Sequence, residues 1–498
     1  MTATRCMVAA LLLGAAPLAA QGYRVRLDTR LQAVGFRGVQ IDSIPVSDTV
    51  TGPGGGPATP DGFAVSCSGG APYCTFFRPG PARHGGPLVT TADLTMWGFG
   101  VRGVSAHATA RVGVDLGNVD AWPGTDPSLQ LVAGYVEYAA ERVTARAGRQ
   151  LMLSRLGATG FDGAWVALRD GKRGLEATGY AGWGLARAVA LPVTSPALNP
   201  LDDFQPRQRQ LVAGLGAGWT SAAADLHADY QREVDPRSDY FVSERIGLSA
   251  AVRPAPGWSV TGGADYDMAA GWWGSAEVSL GYTRRAVSAA VGARRYRPHF
   301  ELWTIWGAFS PVPYHATQAQ LAVRALPQVQ LRARGEWYRF ENSETATPLV
   351  DVASSGWRTE VGVTAWPASG WTLDGGYERE FGPGAASAGA SGSVTYAPRA
   401  TWRVMAHAAT LDRPLEFRYA ESVLRVYGVE AEADRGSRLR LSVGATRYVE
   451  DRRRPDAAAF DWGQWRLTLR AVVVFGRGGE LEGLPPAVRR MPGGRAGR

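Results

Sequence analysis

Lysine is almost missing from this chain: Lys172 is the single one among 53 basic residues, so the formal charge of +8 is carried by arginine. A GC-rich genome produces the same bias, and arginine over lysine by itself names no partner. Cysteine is scarce at three residues and histidine at six. That leaves too few clustered ligands for a metal centre, since neither His84 nor the acids near Cys67 and Cys74 fall at ligand spacing. Hydrophobic runs of the ~20 residues that a membrane helix needs are absent. So are Gly-x-Ser-x-Gly, His-Glu-x-x-His and phosphate-cradling loops. No cofactor and no nucleic-acid partner is expected. What the chain has in excess is glycine, 63 residues with 31 prolines, and 49 aromatics. Glycine costs a helix interior roughly 1 kcal/mol relative to alanine, so a mostly helical fold is excluded. Collagen is excluded by the lack of a three-residue glycine period, and disorder by 45% hydrophobic content. An all-β chain remains.

The one apolar run, Met7 to Ala20, follows Arg5 and ends in Ala19 and Ala20 before Gln21. This is the form of a secretory signal peptide, 1–20, and the run is too short to span a ~30 Å hydrocarbon core. Cys6 leaves with it. Cys67 and Cys74, a close pair in an exported chain, read as a disulfide rather than as metal ligands.

The dominant pattern is period two. Trp465-Arg466-Leu467-Thr468-Leu469-Arg470-Ala471-Val472-Val473-Val474-Phe475 has one apolar and one largely polar face, as do 328–337, 437–443 and 24–31. Small aliphatics fill the apolar face and tryptophan or tyrosine closes the strand ends. A sandwich core would favour large interdigitating side chains, whereas a lipid-facing band edged by aromatic girdles has this composition. About 22 such segments occur, within a range of roughly 18 to 24, and an even number is favoured because both termini belong on one side. The expected fold is therefore a transmembrane antiparallel up-and-down β-barrel over residues 21–475, followed by a Gly/Pro/Arg-rich periplasmic tail, 476–498. Alternation begins at Tyr23, which leaves no room for a plug ahead of the barrel.

Connections alternate in length. Arg284-Arg285, Pro327-Gln328 and Arg435-Gly436 read as tight turns, and 40–87, 185–206, 298–312 and 341–355 as long loops. Residues 254–263 and 367–376 repeat one hairpin design, in which proline ends a strand, glycine turns the chain and tryptophan opens the next strand. The long first extracellular loop, 40–87, stiffened by Cys67–Cys74, is the candidate for a constriction folded into the lumen. The apolar row Leu467, Leu469, Ala471, Val473, Phe475 resembles the closing strand that outer-membrane assembly machinery recognises, although here the phenylalanine is not terminal.

Alternation puts Arg24, Arg26, Arg30, Arg438, Arg440, Arg466 and Arg470 on the lumen face at the barrel seam, with Asp28 the one acid among them. Asp225, Asp229 and Glu233, and Asp374, Glu378 and Glu380, line two other strands, so a basic wall is expected to face acidic ones. His107 and His227 lie on strands beside Ser or Asp, which keeps an outer-membrane enzyme as a minor alternative. Ala147-Gly148-Arg149-Gln150-Leu151, Arg155-Leu156-Gly157 and Phe161-Asp162-Gly163-Ala164 together resemble the Gly-Arg-Gln, Arg, Phe-Asp-Gly pattern of the alginate-export and related porin families. The resemblance implies passage of anionic sugars, or export of a polysaccharide, through an arginine-lined channel. Strict alternation turns Arg149 away from the lumen, unless a bulge or the rim intervenes. A purely local reading has Arg155 and Asp162 pair to tie two strands together. The reading drawn from these features is a porin-like channel for hydrophilic solutes, with lipid outside. The alternative is a structural or adhesive barrel whose loops bind a partner.

Overall fold

The computed structural model describes residues 21–477, except 53–54, 118–128, 186–209, 235, 237–240, 270, 298–312, 342–354, 383–384, 417–419, 437 and 455–461. The proposed leader and nearly all of the proposed tail lie outside the described residues. The period-two segments form strands, 22 of which make one closed antiparallel wall running from Gly22–Pro45 through Pro87–Trp97 to Trp462–Arg477. Each pairs with its neighbours in sequence. The ring closes over twelve pairs, from Tyr23 facing Arg477 to Val34 facing Arg466. The expected barrel is thus the one observed.

Alternation sorts the side chains between two environments. Leu321, Val361, Val443, Leu467 and Leu469 stand outward with 46–57% of their surface exposed, while Arg466, Thr468 and Arg470, alternating with Leu467 and Leu469, point inward. An apolar exterior this extensive is a surface made for lipid rather than water. Aromatic residues edge it. Near the short turns Trp258 packs on Tyr282 at 4.8 Å, and Tyr396 packs on Trp371 at 4.5 Å and on Trp402 at 5.5 Å. Near the long loops Trp337 faces Trp357, which in turn faces Phe381. Trp371 and Phe381 lie on one face of the same strand, ~33 Å apart along it at ~3.3 Å per residue; a tilt of ~40° makes that an apolar band ~25 Å tall.

The recurring turn has a backbone cause. Gly257 and Gly370 adopt φ of 84° and 80°. Trp258 and Trp371 then donate their amides to Ala255 and Ala368 at 3.0 and 3.1 Å. A side chain at either glycine would meet a neighbouring backbone carbonyl oxygen at 2.7 or 2.9 Å, which only glycine avoids.

The stretch 40–87, expected as a loop, is built largely of paired strands. Below Val34 the first strand is held on both sides, by the last strand and by Pro87–Trp97. Above it, Val34–Pro45 pairs with Tyr73–Gly85 through a bulge at Arg37/Val39, so the wall continues past its rim as a two-stranded ladder ~40 Å long. The ladder satisfies these backbone groups without any need to fold into the lumen. Val65–Cys67 adds a short third strand, and Cys67 is disulfide-bonded to Cys74 directly opposite it. Phe63 stacks on Phe76 at 5.8 Å beneath that bond, and Arg78 pairs with Asp42 at 2.8 Å. Ile41 and its cross-strand neighbour Phe77 are left 65% and 59% exposed.

Cys67 and Cys74 should resist a thiol reagent in the folded, unreduced protein and react after reductant. Labelling before reduction would exclude the bond.

Candidate functional site

Among the described residues, the connection that turns inward is a hairpin of Val143–Ser154 and Gly157–Asp170. These strands pair to their tip, where Ser154 faces Gly157. Their outer neighbours do not follow: pairing with Leu129–Ala139 stops at Arg149, and pairing with Leu175–Gly184 stops at Phe161. Residues 150–160 therefore leave the wall. They leave along a row of glycines, for Gly148 faces Gly163, which faces Gly182. Gly148 holds φ at 129°, and a Cβ there would stand 2.8 Å from the Tyr135 Cα. A Cβ on Gly163 would stand 2.5 Å from the Gly182 Cα. Such a row without side chains is a crease about which the sheet folds sharply.

The tip is seated against the far wall, four to six strands on. Arg155 Nη1 donates to Glu277 Oε1 at 2.5 Å and Nη2 to Ser275 Oγ at 3.3 Å. Arg245 Nη1 donates to the Leu156 carbonyl at 3.1 Å. Thr159 and Tyr180 both donate hydroxyls to Gln231 Oε1, at 2.8 and 3.0 Å, and Gln231 donates onward to Glu233 at 2.6 Å. Phe161 is fully buried and stacks on Tyr180 at 5.2 Å. Burial of that ring contributes about 2–3 kcal/mol to holding the hairpin in.

The motif residues sit at this crease and tip. Arg149 Nε and Nη2 grip both oxygens of Asp162 at 2.7 and 3.0 Å. Alternation turns the pair away from the lumen face on which Arg146 meets Glu137 at 2.6 Å. Arg149 Nη1 also donates to the Leu131 carbonyl at 3.0 Å, on the strand whose ladder the hairpin has deserted. The expected Arg155–Asp162 pair is not formed, because Arg149 occupies Asp162 and the bend carries Arg155 across the lumen.

The seam is less one-sided than expected. Arg470 grips Asp28 at 2.8 and 2.6 Å, with Arg26 3.4 Å from the same acid. Arg440 pairs with Asp434 at 2.8 Å, and Arg403 with Glu432 at 3.1 Å. Glu430, Glu432 and Asp434 on Ala420–Arg435 are lumen acids that attention to three arginine strands overlooked. Arg24, Arg26 and Arg30 remain exposed, and Arg438 lies in the turn before Leu439–Arg454. A cavity of about 790 Å³ is lined at the seam by Asp28, Arg30, Arg111, Arg466, Arg470 and Tyr448. The acidic strands are also paired: Asp225 meets Arg253 at 2.8 Å, Asp374 Arg332 at 2.7 Å and Glu380 Arg358 at 2.7 Å. His227 faces Asp229 at 3.1 Å. His107 Nε2 meets Ser105 Oγ at 2.9 Å and its Nδ1 meets Thr95 Oγ1 at 3.3 Å. A hydroxyl stands where a nucleophile relay uses a carboxylate, and Ser105 is 2% exposed.

A closed wall, apolar outside and polar within, is the architecture in which strands cross a bilayer. No protein-family profile matches the chain, and no curated protein matches it in sequence. Among solved structures the chain is similar to the copper transporter OprC, with TM-score 0.50 and 11% identity over 90% of this chain and 80% of that one. This is a likeness of fold. A BenF-like porin from Pseudomonas fluorescens Pf-5 gives 0.40 and 9% identity over 91% and 99% of the two chains. The outer membrane protein OpdK from Pseudomonas aeruginosa gives 0.37 and 11% over 91% and 99%.

Replacing Gly148 or Gly163 by valine should unseat the hairpin. Strain of about 1–3 kcal/mol corresponds to about five- to 150-fold faster proteolytic cleavage within 152–158 of the folded barrel. Unchanged cleavage would show that the crease does not govern the fold of the hairpin.

Proposed function

We propose that the protein is a porin-like channel of the bacterial outer membrane, passing hydrophilic solutes through a lumen that the 150–160 hairpin narrows. The observation that carries this reading is the seating of that hairpin. It spans from its own strands to Glu277 and Ser275 on a wall that also bears Asp229, Glu233 and Asp265. Solute traffic is thereby directed along the opposite side, where Arg24, Arg26, Arg30, Arg466 and Arg470 stand. Exposed guanidinium groups there favour anions, and anionic sugars or an exported polysaccharide are the finer reading. In this scheme residues 1–20 direct export, the row ending at Phe475 engages the assembly machinery, no plug precedes the barrel, and the short turns face the periplasm.

A second reading rests on the ladder 34–45/73–85. Its exposed Ile41, Tyr73 and Phe77 suit a barrel whose outer module binds a partner.

Conductance in planar bilayers separates the two. The wild-type protein should form steady channels, and Arg155→Gln with Glu277→Gln should enlarge the unit conductance. Replacing Arg24, Arg26, Arg466 and Arg470 by glutamine should lower anion preference, most clearly below 0.1 M salt, where the Debye length exceeds about 10 Å. Absence of any conductance would leave the adhesive reading; unchanged reversal potentials would remove the seam arginines from the solute path. Orientation is checked separately: tags at residues 60 and 348 should bind antibody on intact cells, and tags at 255 and 368 should not.

A further inference from the structure

The outer face of the barrel carries a cationic patch that the channel reading leaves unused. On neighbouring strands Arg295 faces His315, and His315 faces Arg339, in direct register. All three have the outward parity of Val291 and Trp337. They lie one outward step beyond Trp337, which faces Trp357, so the cations stand immediately above the aromatic edge of the apolar band. Arg379 rises from below, and its guanidinium lies 5.9 Å from the Trp357 ring centroid. The arrangement recurs farther round at the same end, where Arg447 lies 5.4 Å from the ring of Trp465, itself 56% exposed.

Among the described residues the acids at this patch are fewer than the cations. Glu341 takes Arg295 in a two-pronged pair at 2.7 and 3.1 Å and also meets His315 at 2.6 Å. Arg339 and Arg379 have no ion-pair partner among the described residues, and Arg339 is exposed. A guanidinium in such a place is costly to leave idle. It cannot sink into hydrocarbon below, and no carboxylate among the described residues cancels it. Whatever meets it lies at headgroup depth, because the tryptophans beneath mark the interface.

We propose that Arg295, His315, Arg339 and Arg379 form a binding site for the phosphate groups of a lipid headgroup, with Trp337 and Trp357 packing on the upper acyl chains. Geometry favours phosphate over other anions. Arginine presents a planar fork to phosphate oxygens, several donors converge from adjacent strands ~4.8 Å apart, and an acyl chain fixes its headgroup at this height. Glu341 tunes the site by holding Arg295 in place while leaving the patch net positive. The proposal rests on the membrane reading given above. It adds to it a particular lipid chemistry on one sector of the circumference.

The test uses the full-length folded barrel. It is first reconstituted into phosphatidylcholine vesicles, then transferred to neutral detergent with a diphosphorylated glucosamine lipid or its enzymatically dephosphorylated form, and retained lipid is counted by native mass spectrometry. Inorganic phosphate serves as competitor. Wild-type protein should retain the phosphorylated lipid and not the dephosphorylated one, and phosphate at equal concentration should not displace it. The triple variant Arg295→Gln, Arg339→Gln, Arg379→Gln should retain it about tenfold or more weakly. Arg284→Gln with Arg435→Gln, at the turn end, should leave retention unchanged. Equal retention of both lipids, equal retention by the triple variant, or displacement by free phosphate would each overturn the site. Failure to enter the phosphatidylcholine vesicles would overturn the membrane reading and the site with it. Entry without selective retention would overturn the site alone.

Discussion

A backbone amide in hydrocarbon has no water to turn to, so every strand of this wall must find its hydrogen bonds within the protein. Closure follows from that constraint. The first strand is bound on one side by its sequence neighbour and on the other by the last strand of the chain, and no edge is left at the level of the apolar band. Among the described residues the wall parts at the root of the inward hairpin, and there the freed backbone groups are met by one side chain and one further backbone bond. Arg149 covers the Leu131 carbonyl, and the Leu185 amide bonds to the Gly160 carbonyl at 2.7 Å. The cost of breaking the ladder is offset by the bidentate pair with Asp162 and by burial of Phe161.

The lumen obeys a different rule, since water screens it, yet its charges are seldom solitary. Arg332 reaches Asp374 two strands away, at 2.7 and 2.9 Å, over Gly362, where a Cβ would stand 2.5 Å from its Nε. Arg294 reaches Glu336 in the same manner across Ala316, at 2.9 and 3.1 Å. Small residues on the intervening strand make room for such straddling pairs. A half-exposed pair such as Arg332–Asp374 is worth about 0–1 kcal/mol, so it shapes the electrostatic lining more than it stabilises the fold, whereas Glu336 is buried and needs its arginine partner.

The wall was legible in the sequence because period two is a local signal: the segment 465–475 declares its two faces without reference to any other strand. Turns were legible for the same reason, as at Gly257 and Gly370. The inward hairpin was not, since its decisive facts are relations between distant residues, such as Arg155 with Glu277. Its local signature, Gly148 and Gly163 at the crease, differs little from dozens of other wall glycines. The motif residues Arg149, Arg155 and Asp162 lie at the crease and the tip, and their local pattern carried no sign of the partners they meet there. The paired acids at the seam were hidden likewise, because Glu432 and Asp434 matter only once the next strands are laid beside them. For 40–87, glycine and proline content argued for a loop, and the ladder became visible only through the register of Val34–Pro45 on Tyr73–Gly85.

That ladder and the seam share one continuous strand. Gly22–Pro45 begins as the closing stave of the wall and ends as half of the projecting module. A pull on the module along this strand loads the twelve pairs between Tyr23 and Val34 in shear, all together, rather than peeling them one after another. The joint that closes the cylinder is also the anchor of its outermost part. Tension on the module is therefore borne where the wall is held by two ladders at once.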